Sequence, residues 1–216
     1  MNLSPRLALT ALVTGIALLA AAPAAQAAPS AQDQAWMASA HQGNLAEIAA
    51  GQAAVAQAST DTVRQLGQML ITDHTTLDAS LTAAATQLGV TLPTTPTPQQ
   101  QADLSAVTAT SGAAFDSAWI ALQIAAHRAT LAAGETELAS GSEQQVKDLA
   151  AAAAPVVQHH LDEALAAAPQ FGVPTSVPAG SGGQAATGTS SLGVALVGAG
   201  LLLVVVAGTR VVRRRA

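Results

Sequence analysis

Glu47, His74, His127 and His160 each fall on the apolar stripe of a different predicted helix. Imidazole nitrogen and carboxylate oxygen are the donors that Zn, Fe, Mn and Cu ions take from proteins. Four such side chains aimed at one bundle axis are costly unless they satisfy one another or share an ion. Two chemistries are therefore open. In one, neutral imidazoles supply lone pairs to a transition metal and Glu47 offsets its charge. In the other, the four form a metal-free polar cluster, bonded to each other, to carbonyls or to water. Asp73 stands one residue from His74, placed either to orient a ring on a neighbouring helix or to face solvent. His159 and Glu163, four residues apart, read as a surface pair, and His41 reads as solvated near a helix end.

The elements that must position these residues are long helices. Alanine dominates, aromatic residues make up 2% of the chain, and ten prolines punctuate it, a composition that favours helix. The first helix spans about residues 32–57, with Trp36, Ala40, Gly43, Glu47, Ala50 and Ala54 on one face and Asp33 in its first turn. The second, capped by Ser59 or Thr60, runs to Leu88 along Val63, Leu66, Leu70, His74, Leu77 and Leu81, and Gly89 ends it. Pro93, Pro96 and Pro98 break the chain, and a short helix follows over 99–108. The third long helix covers 113–139 through Phe115, Ile120, Ile124, His127 and Leu131. Ser142, with Gln145 three residues on, predicts a capping box for the fourth, which runs to Ala168 with an expected kink at Pro155.

Two helical hairpins joined by a long connection predict a ferritin-like four-helix bundle with a crossover between the second and third long helices. At ~1.5 Å per residue, Glu47 and His74 lie about 15 and 20 Å from the first turn, and His127 and His160 about 18 and 25 Å from the second. All four can thus meet near mid-bundle.

The two ends speak of address. Residues 1–27 read as a signal peptide, with Arg6, an apolar stretch and an Ala-Gln-Ala cleavage site. One domain follows over 31–168, then a Gly/Pro/Ser-rich stalk over 169–190. Residues 191–209 read as a transmembrane helix, and the basic tail 210–216, carrying Arg210, Arg213, Arg214 and Arg215, is expected to stay cytoplasmic. The domain is then displayed on the extracellular face of the membrane or the cell wall. Residues 184–188 resemble a sortase motif with Gln184 in the leucine position, so processing between Thr187 and Gly188 stands beside simple membrane retention. Between the two ends, only Arg64, Arg128 and Lys147 stand against thirteen acidic residues. That balance argues against nucleic acid as a partner. With no cysteine, disulfide and thiolate chemistry are excluded. The sequence shows no nucleophile–base pair, phosphate loop or substrate pocket. A binding module therefore comes ahead of an enzyme, although three His and one Glu could leave a coordination position open.

The segments 43–47, 69–74, 112–116, 126–127 and 155–161 resemble the exported bacterial domain of unknown function 4142. Its Glu, Asp-His, Phe-Asp and two later His motifs match Glu47, Asp73 with His74, Phe115 with Asp116, His127 and His160. The resemblance implies a ferritin-like fold and export, and it sets Asp116 with Asp73 as an outer carboxylate. Trp119 stands where that family commonly has tyrosine. Ile71 and Val157 occupy the positions three before His74 and His160, so the Glu-x-x-His pairs of di-iron ferritins are missing.

Overall fold

The computed structural model describes residues 28–175. These form five α-helices and a closing turn: α1 Ala31–Gln57, α2 Asp61–Leu88, α3 Pro98–Thr108, α4 Ala113–Ser140, α5 Gln144–Ala167 and a 3-10 turn Ala168–Phe171. The expected signal peptide, the transmembrane helix, the sortase-like motif, the basic tail and most of the stalk lie outside the described residues. Among the described residues, no helix is long and apolar enough to cross a membrane.

Four of the five α-helices begin at a side-chain cap, α4 being the exception. Ser30 accepts from the Asp33 N–H while Asp33 accepts from the Ser30 N–H, which closes a capping box on α1. Thr60 caps α2, and Thr97 with Gln100 boxes α3 ahead of Pro98. α2 stops at Gly89, whose φ of 67° is the left-handed conformation that ends helices. The cap of α5 is not Ser142 but Glu143, which accepts from the Gln145 N–H. Ser142 is engaged elsewhere: its N–H and hydroxyl both donate to Asp33. Helix α5 continues through Pro155.

The helices pack as two antiparallel hairpins, α1–α2 and α4–α5, with α1 against α4 and α2 against α5. Residues at the end of α1 and the start of α2 (Ala54, Ala58, Val63) cluster with Phe115 and Trp119 from the start of α4 and Ala164 and Ala167 from the end of α5. At the opposite end, Trp36 and Met37 meet Leu81, Ala84, Val146 and Ala150. α2 and α4 therefore run in the same direction, and the connection between them returns along the bundle, with α3 lying on α1 and α4. Between the two apolar clusters lies a buried polar layer of Asn44, Glu47, His74, Gln123, His127 and His160.

The two hairpins carry matching residues at a constant spacing. Asp33 and Asp116, Trp36 and Trp119, Gly51 and Gly134, Ser59 and Ser142, Val63 and Val146 each stand 83 residues apart. The roles match as well as the residue types. Asp116 accepts from the Ser59 N–H, the Ser59 hydroxyl and the Thr60 hydroxyl, pinning the start of α4 to the α1–α2 turn. Asp33 accepts from Ser142 and from the Glu143 N–H, pinning the start of α1 to the α4–α5 turn. Burial works against the Asp33 charge, but hydrogen bonds from Ser30, Ser142 and Glu143 prevail and hold its carboxyl well below the usual range. The fold is thus an internal duplication closed by one buried aspartate latch at each end.

Candidate metal centre

Three helices bring His74, His127 and His160 together. All three are buried, at 3%, 1% and 2% exposure, and one nitrogen from each lies within 4.8 Å of the others. Ring centroids are 5.2 to 5.7 Å apart.

What each ring offers is settled by its outer neighbour. His127 Nδ1 stands 2.9 Å from the Gln123 backbone carbonyl, which can only accept, so that nitrogen carries the proton. His160 Nε2 stands 2.9 Å from Asp73 Oδ2 and donates to the carboxylate. His74 Nδ1 stands 2.9 Å from Asn44 Oδ1 and donates to the amide oxygen. The Asn44 assignment is itself supported, because its Nδ2 reaches Asp78 Oδ1 at 3.4 Å. A neutral imidazole protonated on one nitrogen has a lone pair on the other. The remaining nitrogens, Nε2 of His74, Nε2 of His127 and Nδ1 of His160, are therefore all acceptors. Two of them face each other at 3.3 Å, and His74 Nε2 has no partner in the protein.

Electrostatics keep the rings in that state. Burial, and then the neighbouring His127 and His160, lower His74 to about 3. Burial lowers His127 to about 4, against the bond to Gln123 and with help from His160. Burial also lowers His160, partly offset by Asp73. Neutral imidazole is the form that ligates metals.

Glu47 lies in the same layer but not among the converging nitrogens. Its Oε1 is 3.9 Å from His127 Nδ1, the ring's outer nitrogen, and its Oε2 has no partner. Burial pushes its carboxyl up to about 8. Gln123 stands beside it and opposes that shift, although neither amide atom of Gln123 reaches hydrogen-bond geometry. The structure thus gathers three of the four expected donors and sets Glu47 behind one of them.

Of the two expected outer carboxylates, one is at the site. Asp73 bonds His160 and, at 37% side-chain exposure, faces solvent as well. Asp116 is not: it is spent on the α1–α2 turn, eleven residues before His127 on α4, or roughly 16 Å along the helix. His41, expected in solvent, instead pairs with Asp78 across α1 and α2 at 2.6 Å. His159 and Glu163 are both exposed, and no bond joins them. Sequence reasoning missed Asn44 and Gln123. Asn44 lies three residues before Glu47, and Gln123 four before His127, on the same helical faces, a spacing at which a polar residue signals a buried partner.

A family model described as a domain of unknown function, DUF4142, matches residues 18–167. The chain belongs to the DUF4142 family. The match spans the three clustered histidines, His74, His127 and His160. Among solved structures, a DUF305 protein from Streptomyces coelicolor, described as secreted, shares the fold. It has a TM-score of 0.58 and 10% identity, covering 68% of this chain and 96% of that one. None of the curated proteins compared matches.

Proposed function

We propose that this DUF4142 domain is a metal-binding module, a ferritin-like bundle holding one transition-metal ion between His74, His127 and His160. The observation that carries the reading is the tautomer pattern. Three outer acceptors, the Asn44 amide, the Gln123 carbonyl and the Asp73 carboxylate, leave an acceptor nitrogen on each ring, and one nitrogen from each ring lies within 4.8 Å of the others. Imidazoles anchored through the far nitrogen in this way are characteristic of metal ligands. The 3.3 Å between His127 Nε2 and His160 Nδ1 equals the edge of a tetrahedron with metal–nitrogen bonds of about 2.0–2.1 Å. An all-nitrogen set suits Zn, Cu or Fe better than Mn, which prefers oxygen. Glu47, behind His127, supplies a negative charge once an ion is near.

The reading extends to place. The sequence motifs at the two ends, together with likeness to a secreted DUF305 protein, support export and display outside the membrane, on the stalk over residues 169–190. A binding role is favoured over an enzymatic one, since the bundle lacks the bridging carboxylates of oxygen-activating di-iron sites.

One observation favours a second reading, a structural or interaction protein of the envelope with a metal-free cluster. If His127 or His160 carries an extra proton, their 3.3 Å contact is an ordinary hydrogen bond. Elemental analysis of the purified full chain separates the two. The metal reading expects about one ion per chain, lost in His127→Ala, and a melting temperature that falls on chelation. A chain without stoichiometric metal, indifferent to EDTA, sinks it.

A further inference from the structure

We propose that the metal centre keeps one coordination position for an exchangeable small ligand, a water or an anion of two or three heavy atoms, held there by the side chain of Gln123. The inference rests on the reading of the three imidazoles as ligands and adds what that reading leaves open.

The protein supplies three donors and no fourth. Among the described residues, the group able to share an ion is His74, His127 and His160, with no carboxylate joining them. A tetrahedral ion on three protein ligands takes its fourth from outside.

The structure provides a place for it. A pocket of about 10 Å³ borders His127 and His160 and is lined also by Gln123, Trp119, Leu66 and Met69. That is about the space of one water-sized molecule. Leu66 and Met69 on α2 are only half-buried, so the pocket meets the surface on that side. A water fits there whole, and a small anion fits by one end with the rest directed toward that opening.

Gln123 lines this pocket and is the group available to such a ligand. It is 2% exposed, and both atoms of its amide lack a partner in the protein. A buried primary amide with neither bond made is rare. Glu47 Oε2 and His74 Nε2 are the other buried polar atoms of this layer without a partner. The Trp119 indole donates to the Ala50 carbonyl at 2.8 Å, and the outer nitrogens of the histidines bond Asn44, Asp73 and the Gln123 carbonyl. The Gln123 amide lines the pocket and carries both an unused donor and an unused acceptor, which is what a bound water or a small anion requires. Its place one turn before His127 puts it at the rim of the histidine pair.

The test uses the full chain loaded with Co(II), whose visible bands report coordination, titrated with azide. The expected result is one cobalt per chain and a saturable change in the bands. Benzoate, too large for the pocket, leaves them unchanged. Gln123→Leu keeps the cobalt but weakens azide binding at least about tenfold, the cost of a hydrogen bond to a charged group. Gln123→Met serves as a second replacement with the same expectation. Cobalt uptake with no azide response, or equal azide affinity in both Gln123 variants, overturns the exchangeable position and leaves the three-histidine site standing. No cobalt uptake by the unaltered chain overturns the metal reading itself, and this inference with it.

Discussion

The hairpins α1–α2 and α4–α5 are built on one plan and have been put to different uses. The frame is shared: the aspartate latch, the tryptophan three residues on, the glycine in the middle and the valine after the turn recur 83 residues apart. The inner polar positions are not shared. Asn44 corresponds to His127, His74 to Val157, Leu77 to His160 and Glu47 to Thr130. The first hairpin therefore brings one imidazole with its orienting amide, and the second brings two imidazoles. The packing differs as well. A Cβ added at Gly51 would stand 2.6 Å from the Gly67 carbonyl oxygen, and one at Gly67 would stand 2.6 Å from Ala54 Cβ. Their counterparts, Gly134 and Ala150, line a cleft of about 340 Å³ beside Pro155, and a Cβ at Gly134 would meet nothing within 4 Å. The first hairpin is closed through its middle and the second is open. A duplicated frame can diverge in its interior when its ends are pinned, because the latches fix helix register independently of what fills the centre.

Loss of either latch should have the largest effect. Asp33→Ala removes the acceptor for Ser30, Ser142 and the Glu143 N–H, and Asp116→Ala removes it for Ser59 and Thr60. Each orphaned buried donor costs about 1–3 kcal/mol. Both variants should lose about 4 kcal/mol or more in denaturant unfolding, with Asp33→Ala the worse. An effect under about 1 kcal/mol at either site would show that the two ends are not held alike.

The pH dependence of the metal-free protein separates the hairpins by charge. The three histidines have lowered pKa values in the folded state, so their contribution is present above the ordinary value near 6.5 and is lost as pH falls toward 4 and 3. Glu47 has a raised value, so its contribution is present below 4.5 and is lost as pH rises through about 8. The first hairpin contributes one group of each sign, Glu47 and His74, which oppose each other. The second contributes only His127 and His160. Stability should peak near pH 6.5 and fall as pH drops toward 4.5, at about 1.4 kcal/mol per pH unit for each unopposed proton. Glu47→Gln should flatten the alkaline limb and, by removing the group that opposes His74, steepen the acid limb. An acid limb that persists with all three histidines replaced would locate it elsewhere.

The glycines give a smaller contrast with opposite signs. Gly51→Ala forces backbone and Ile71 apart and should destabilise by about 1–3 kcal/mol. Gly134→Ala has room in mid-helix and should stabilise by up to about 1 kcal/mol. Thermal melts of the two single variants check this, and equal effects would mean that the hairpins are packed alike.

How much of this was legible follows from what each signal encodes. The helices could be read because alanine-rich runs are separated by Pro93, Pro96, Pro98 and Gly141, and the expected bounds fall within a residue or two of those observed. The three histidines could be read because helical spacing puts them on apolar stripes. Glu47 sits on the same stripe, yet a stripe is too wide to distinguish the inner from the outer side of a ring. Asp73 and Asp116 look alike in sequence. One supports His160 and the other holds a turn, because an aspartate at the start of α4 finds the Ser59 and Thr60 donors before any imidazole. Asp33, read as a partner of the helix dipole, proved to be the second latch. Asn44 and Gln123 escaped notice because neutral amides mark no chemistry by themselves. The duplication was hidden by its own medium, since alanine-rich helices resemble one another at many offsets and only Asp, Trp, Gly and Ser mark the true one.

The protonation of the three imidazoles is read by long-range ¹H–¹⁵N NMR in the metal-free chain and again after one equivalent of Zn. The expected result is protons on Nδ1 of His74, Nδ1 of His127 and Nε2 of His160, with zinc shifting only the opposite nitrogen of each ring. A proton on the inward nitrogen of any of the three, or spectra that zinc leaves unchanged, would contradict it.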